Sequence, residues 1–182
     1  MEHLNAAALE EGLEEILLAP KDTGSVEMIV RRPGVDEREI LEQGELDVAQ
    51  GLLGDNWRLR GSSLMPDGSA HPDMQLTIMN SRVIALVASE RERWPLAGDQ
   101  FFVDLDLSKE NMPPGTRLSL GDAVVEVSIL PHMGCKKFVA RFGLDAMKFV
   151  NSKRGKLLGL RGINAKVVKP GLVRNADSVK KL

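Results

Sequence analysis

The chain of 182 residues has no tyrosine, five phenylalanines and two tryptophans, so aromatic side chains make up only 4% of it. Modules for single-stranded nucleic acid stack bases on aromatic platforms interleaved with cations. That scarcity argues against nucleic acid as a partner. A single cysteine, Cys135, excludes an intrachain disulfide framework and fits a reducing compartment. No apolar run reaches the roughly 18 residues of a membrane-spanning helix. The opening Met1-Glu2-His3-Leu4-Asn5 lacks the basic and apolar regions of a secretory leader. A cytoplasmic protein with no membrane partner is therefore expected.

Other absences narrow the chemistry. The sequence contains no Walker phosphate loop, no G-x-G-x-x-G and no G-x-S-x-G elbow. Histidine occurs only at His3, His71 and His132, and there is no C-x-x-C. His132 and Cys135 would supply two zinc ligands, whereas a structural zinc site takes four. No pair of carboxylates is singled out by its spacing.

What is present suits a single domain. Hydrophobic residues make up 43% and charged residues 27%, ordinary values for a globular chain long enough to bury its own core. The net charge of −2 conceals an asymmetry: residues 135–182 hold thirteen Lys and Arg against two Asp, and residues 1–134 hold eleven against twenty-four Asp and Glu. A basic C-terminal third suits an anionic partner, a small-molecule ligand among them, or the acidic part of the same molecule.

Leu9, Leu13, Ile16 and Leu17 form one apolar stripe, which predicts an N-terminal amphipathic helix within residues 1–22, ended by Pro20. A main domain is expected over 24–180. Strands are expected over Ser25–Val30 and Gln75–Met79, and over Phe101–Leu107 by its period-two alternation. Arg117–Leu120 and Ala123–Val127 flank Gly121-Asp122, a tight-hairpin signature, and Gly162–Val168 reads as a further strand. A helix opens at Asn80 or Ser81 and runs through Val83, Ile84 and Val87. A second spans Phe142–Val150, with Leu144, Met147 and Phe149 as its apolar contacts. Gly51–Asp73 reads as a long loop. Short strands with regular turn signals and few helices predict an α+β, mainly β, barrel-like domain.

Cys135 lies in Pro131-His132-Met133-Gly134-Cys135-Lys136-Lys137-Phe138. Neighbouring positive charge favours thiolate, the reactive form of the side chain. Two lysines follow the thiol and a histidine precedes it by three residues. Gly134 leaves space for a large partner to approach. The competing readings are a small buried hydrophobe for the thiol and an exposed loop residue for His132.

The order of motifs resembles the MOSC domain, named for the C-terminal domain of molybdenum cofactor sulfurase. The resemblance rests on Gly51-Leu52-Leu53-Gly54-Asp55, Gln75-Leu76-Thr77-Ile78-Met79, Leu118-Ser119-Leu120-Gly121-Asp122, Gly134-Cys135-Lys136-Lys137-Phe138 and the run from Arg161-Gly162-Ile163-Asn164-Ala165 to Gly171. It extends from about Ser25 to Val179. Two positions depart from the family pattern: Gly134 stands where Pro is usual, and Gly98-Asp99-Gln100-Phe101 stands for Gly-Glu-Asn-Leu.

The resemblance implies a stand-alone, mainly β barrel with a few short helices. It also implies that Cys135 either carries sulfur as a persulfide or ligates molybdenum in a pterin cofactor. Lys136, Lys137, Arg141 and Arg161 would rim the pocket of an anionic pterin. Asp55 would orient one of them or cap its own turn, and Gln100 occupies a pocket-lining position. Pyridoxal phosphate belongs to a different domain of the sulfurase and is not implied. A sulfur carrier would need a sulfur-donor protein, and a reductase component would need an electron donor. A binding module that has lost the cofactor and a thiol redox sensor are the alternatives, and oligomeric state is left open.

Overall fold

A computed structural model describes residues 3–182; the first two residues of the expected 1–22 segment lie outside it. Helices α1 (Ala6–Glu11) and α2 (Leu13–Leu17) precede strands β1 (Thr23–Arg31), β2 (Glu39–Leu41), β3 (Gln43–Asp47) and β4 (Gly51–Leu52). Helix α3 (Trp57–Arg60), strand β5 (Leu76–Asn80), helix α4 (Ser81–Ala88) and strand β6 (Phe101–Asp104) follow. The hairpin β7 (Arg117–Leu120) and β8 (Ala123–Pro131) then leads into α5 (Lys136–Phe142), α6 (Leu144–Asn151) and α7 (Lys153–Leu157). Strands β9 (Ile163–Lys169), β10 (Gly171–Arg174) and β11 (Ser178–Lys181) complete the chain. Short 3-10 segments occupy Pro72–Met74 and Arg91–Ala97.

Seven strands close on themselves in the order β11-β7-β8-β9-β5-β6-β1, and β1 pairs back to β11 through Thr23–Ser25. Only β5 and β6 run parallel within this barrel. Closure removes the free sheet edges that invite pairing with other chains. Strand β2 hangs on the far end of β1, and β10, β3 and β4 form a small second sheet.

The barrel is apolar on two sides. Ile29, Leu76, Ile78, Phe101, Val103 and Val125 fill its interior. Met28, Val30, Met79 and Phe102 face outward into a second core with Leu9, Ile84, Phe138 and Phe142. Phe101, Phe102 and Val103 are therefore all buried, and the expected alternation over Phe101–Leu107 gives way to a shorter strand covered on both faces, as buried sheets are.

The helices form where the chain offers apolar stripes. Asn80 caps α4 by accepting from the Arg82 backbone N–H at 2.7 Å, while its amide donates to the Leu105 carbonyl. The N-terminal stripe buries Leu9, Leu13 and Ile16 but leaves Leu17 exposed, because the helix breaks at Gly12. The helix expected over Phe142–Val150 is two helices, interrupted at Gly143. Its buried contacts are Phe142, Ala146 and Val150, while Leu144 faces solvent. The expected loop after Gly51 contains a strand and a helix turn, and β2, β3, β10 and β11 were too short and polar to mark themselves.

Gly162 has φ +97°, and a Cβ there would overlap the Ile78 carbonyl of the neighbouring strand. It lets the chain turn from Arg161 directly into β9. Gly162→Ala should cost about 2–3 kcal/mol. A urea midpoint equal to wild type would contradict this account.

Candidate functional site

Helix α5 starts where β8 ends, and the connection carries His132, Met133, Gly134 and Cys135 across the barrel mouth. Asn151, the last residue of α6, grips this connection from behind. Its Oδ1 accepts from the Gly134 N–H and its Nδ2 donates to the Gly134 carbonyl, both at 2.9 Å. Proline at 134 would have no N–H for that bond, so the departure from the family pattern has a local mechanical reason. Cys135 is exposed and opens onto a cleft of about 470 Å³.

Six cationic side chains line this cleft: Arg32, Arg38, Arg60, Lys137, Arg141 and Arg161. Asp36 is the one carboxylate among the lining residues; it pairs with Lys137 at 2.9 Å and Arg141 at 2.8 Å. The Lys137 hydrogen bond, ahead of the remaining charges, holds Asp36 below the usual carboxylate range. Two further carboxylates lie behind the wall. Asp55 takes Arg32 in a fork, with Oδ2 accepting from Nε at 2.8 Å and Oδ1 from Nη2 at 2.7 Å. Asp99 accepts from Arg161 at 2.7 Å and pairs with His132 Nε2 at 2.9 Å. Six positive charges face three negative ones.

Arg38 and Arg60 have no carboxylate partner among the described residues. Desolvation lowers both below the ordinary guanidinium value; Arg141 and Arg32 then lower Arg38 further, and Arg32 lowers Arg60. Both stay charged at neutral pH. Crowded cations of this kind are relieved by an anion.

Three buried side-chain atoms of residues that line the cleft have no hydrogen-bond partner: Asn56 Oδ1, Arg161 Nε and Asn164 Oδ1. Orphaned buried polar atoms are uncommon in native proteins. Two acceptors and one donor are therefore left unpaired in residues that form the cleft wall.

His132 is not the exposed loop residue expected from sequence; it is mostly enclosed at the end of β8, against Asp99. Burial lowers its pKa, Arg161 lowers it further, and Asp99 opposes both without reversing the outcome. Asp99 is fully buried; burial pushes it up, but Arg161 and His132 pull it below the usual range. An ionised carboxylate only accepts, so a neutral His132 donates its Nε2 proton and keeps Nδ1 as an acceptor.

Of the residues expected from sequence, Cys135, Lys137, Arg141 and Arg161 come together at the cleft. Lys136 opens α5 in solvent and is absent from the lining. Asp55 and Gln100 are buried beneath it. Gln100 Oε1 accepts from the Thr77 N–H and hydroxyl, and its amide donates to the Gln75 carbonyl. Sequence reasoning missed Arg32, Arg38, Arg60, Asn56 and Asn164. Asn56 follows Asp55 directly, and Asn164 sits inside the Arg161–Gly171 motif, so motif adjacency was a usable signal for those two. Nothing local marked Arg38.

The barrel has the MOSC-domain fold. It is similar to the YuaD protein from Bacillus subtilis, with TM-score 0.59, 17% identity, and coverage of 86% of this chain and 94% of that one. It is also similar to YiiM from Escherichia coli (0.54, 20%, 87% and 69%) and to YiiM from Geobacillus stearothermophilus (0.54, 12%, 87% and 73%). At such identities the likeness concerns the fold alone. No protein-family model and no curated protein matches the sequence. Among the described residues no helix is long and apolar enough to cross a membrane, and no three His, Cys, Asp or Glu cluster to hold a metal ion.

The Asp99–His132 pair sets a pH response. An unfolded histidine titrates near 6.5, while folded His132 resists protonation until lower pH. Between those values the unfolded chain binds the extra proton, so stability falls as pH drops below about 6.5. Asp99 acts in the same direction at lower pH, because the unfolded carboxyl protonates before the folded one. Melting temperature against pH should decline in two stages, and His132→Gln should remove the first. A flat wild-type profile between about pH 6.5 and 4.5 would refute the assignment.

Proposed function

We propose that the cleft binds an anionic, pterin-type molybdenum cofactor with Cys135 as the protein's ligand to the metal. The observation that carries this reading is the combination of an exposed thiol, an excess of cations and three orphaned polar atoms around one cavity. A bare metal ion fits poorly, since no other ligating cluster accompanies the thiol among the described residues. A metal that arrives with its own donors fits well, and thiolate is a soft ligand suited to completing such a set.

Arg38, Arg60 and Arg141 would meet the cofactor's phosphate, where guanidinium forks match oxyanion geometry. Asn56 and Asn164 would accept from the N–H groups of its ring system. Bound there, the cofactor would supply two-electron redox chemistry. His132 Nδ1 is left as a neutral acceptor in the same cleft, its tautomer held by Asp99. Asn151 keeps the thiol-bearing connection fixed while ligands enter and leave.

A sulfur carrier is the second reading. In that case the Cys135 thiolate attacks the outer sulfur of a donor's persulfide, the S–S bond breaks, and the donor leaves as its thiolate. This reading needs only an open thiol with access to a partner. The unpaired arginines and orphaned asparagines are surplus to it, which favours the cofactor.

Native purification followed by elemental and pterin analysis separates the readings. The cofactor reading expects close to one molybdenum and one pterin per chain, lost in Cys135→Ser and reduced in Arg60→Gln. A mass increase of one sulfur atom on Cys135, without metal, would instead support the carrier. If neither is found and Cys135→Ser leaves cellular function unchanged, both readings fail and a binding module remains. Loss of sulfur chemistry only after oxidant treatment would indicate a redox sensor.

A further inference from the structure

A second cavity, of about 320 Å³, lies on the other side of the connection that carries His132. Its origin is an irregularity in the barrel wall. Val127 pairs with Ala165 and Pro131 pairs with Ile163, so β8 spends four residues where β9 spends two. The excess at Ser128–Leu130 lifts the strand out of register. Asn164 partly bridges the gap, donating to the Leu130 carbonyl at 3.1 Å. Bulges of this kind recur beside functional sites, where they redirect side chains.

The walls of this cavity are mainly apolar, with Leu107, Met112, Val127 and Ile163 among them, and no Asp or Glu lines it. Its cations are Lys109 and Lys156, both exposed and without a carboxylate partner among the described residues, and Arg161 in the wall shared with the thiol cleft. Ser128 also lines it; the residue is more than nine-tenths buried and its hydroxyl has no partner. Small-molecule sites combine this apolar lining with a few convergent polar groups.

We propose that the cavity behind the β8 bulge is a binding site for an amphiphilic carboxylate, its apolar body against Leu107, Met112 and Val127 and its carboxylate between Lys109 and Lys156. The Ser128 hydroxyl supplies a polar contact partway along. The two cavities share Pro131, His132, Met133, Arg161 and Asn164, but Cys135 does not line this one and the site does not depend on it.

Calorimetric titration of the intact protein with octanoate and with 2-naphthoate tests this. Saturable one-to-one binding in the millimolar range or tighter is expected for at least one of them. Octanoate alone would identify an aliphatic acid as the natural class, naphthoate alone an aromatic one, and either supports the site. Lys109→Glu and Lys156→Glu, both on exposed side chains, should each weaken binding about fivefold, and Cys135→Ser should leave it intact. No saturation by either acid up to about 10 mM, binding indifferent to both charge reversals, or binding lost in Cys135→Ser would overturn the proposal.

Discussion

The fully buried carboxylate of Asp99 holds the functional end of the barrel together. An ionised carboxylate without partners in such a place would cost several kcal/mol, so its surroundings must supply cations and donors. Arg161 and His132 do so from opposite sides. One sits just before β9 and the other just after β8, while Asp99 leads into β6. Three segments distant in sequence are therefore tied at one point. Arg161 extends the network by donating to the Ala97 carbonyl and by lying over the Phe138 ring, 5.0 Å from its centroid. That contact seats α5, and with it Cys135, the residue just before its first turn.

The charge division of the sequence acquires a physical meaning from these pairs. Several cations of the basic C-terminal third meet acids of the preceding stretch: Arg161 with Asp99, Lys137 and Arg141 with Asp36, Lys166 with Asp73 and Glu126, Arg154 with Glu10. Part of the asymmetry is thus expressed inside the folded chain, through these five of the thirteen cations. In the thiol cleft the cations without a carboxylate partner are Arg38 and Arg60, and they come from the acid-rich part. A count of charge along the chain pointed to an anion for reasons that only partly coincide with the residues free to hold one.

The barrel, the β7–β8 hairpin and α4 were legible because turn chemistry and capping act locally: Gly121-Asp122 and Asn80 announce their own structures. Cys135 stood out through its adjacent glycine and lysines, and the fold places it exposed at the cleft. Strand β6 was harder. Its alternation was inferred from Asp104 and Asp106, whereas burial on both faces follows from helices packed outside the barrel, a tertiary fact. Asp55 and Gln100 were recognisable as motif positions, yet their work is to anchor Arg32 and Thr77 behind the cleft wall. Which side of a wall a residue faces is decided by strands that pair across a hundred residues of sequence.

Gly134 shows how the same mechanical requirement can be met by different chemistry. A proline before Cys135 would restrict φ through its own ring and so stiffen the backbone that carries the thiol. Glycine does the opposite and enlarges the accessible conformations. Here the loss is offset from outside, because the Asn151 amide takes both backbone polar groups of Gly134. The space for that clamp is tight: a Cβ on residue 134 would come within 3.3 Å of both Asn151 and Val150. Glycine and asparagine at these two positions therefore belong together. The thiol loop is held by a side chain at the end of α6 instead of by a ring in its own backbone, and any exchange at residue 134 has to be considered jointly with residue 151.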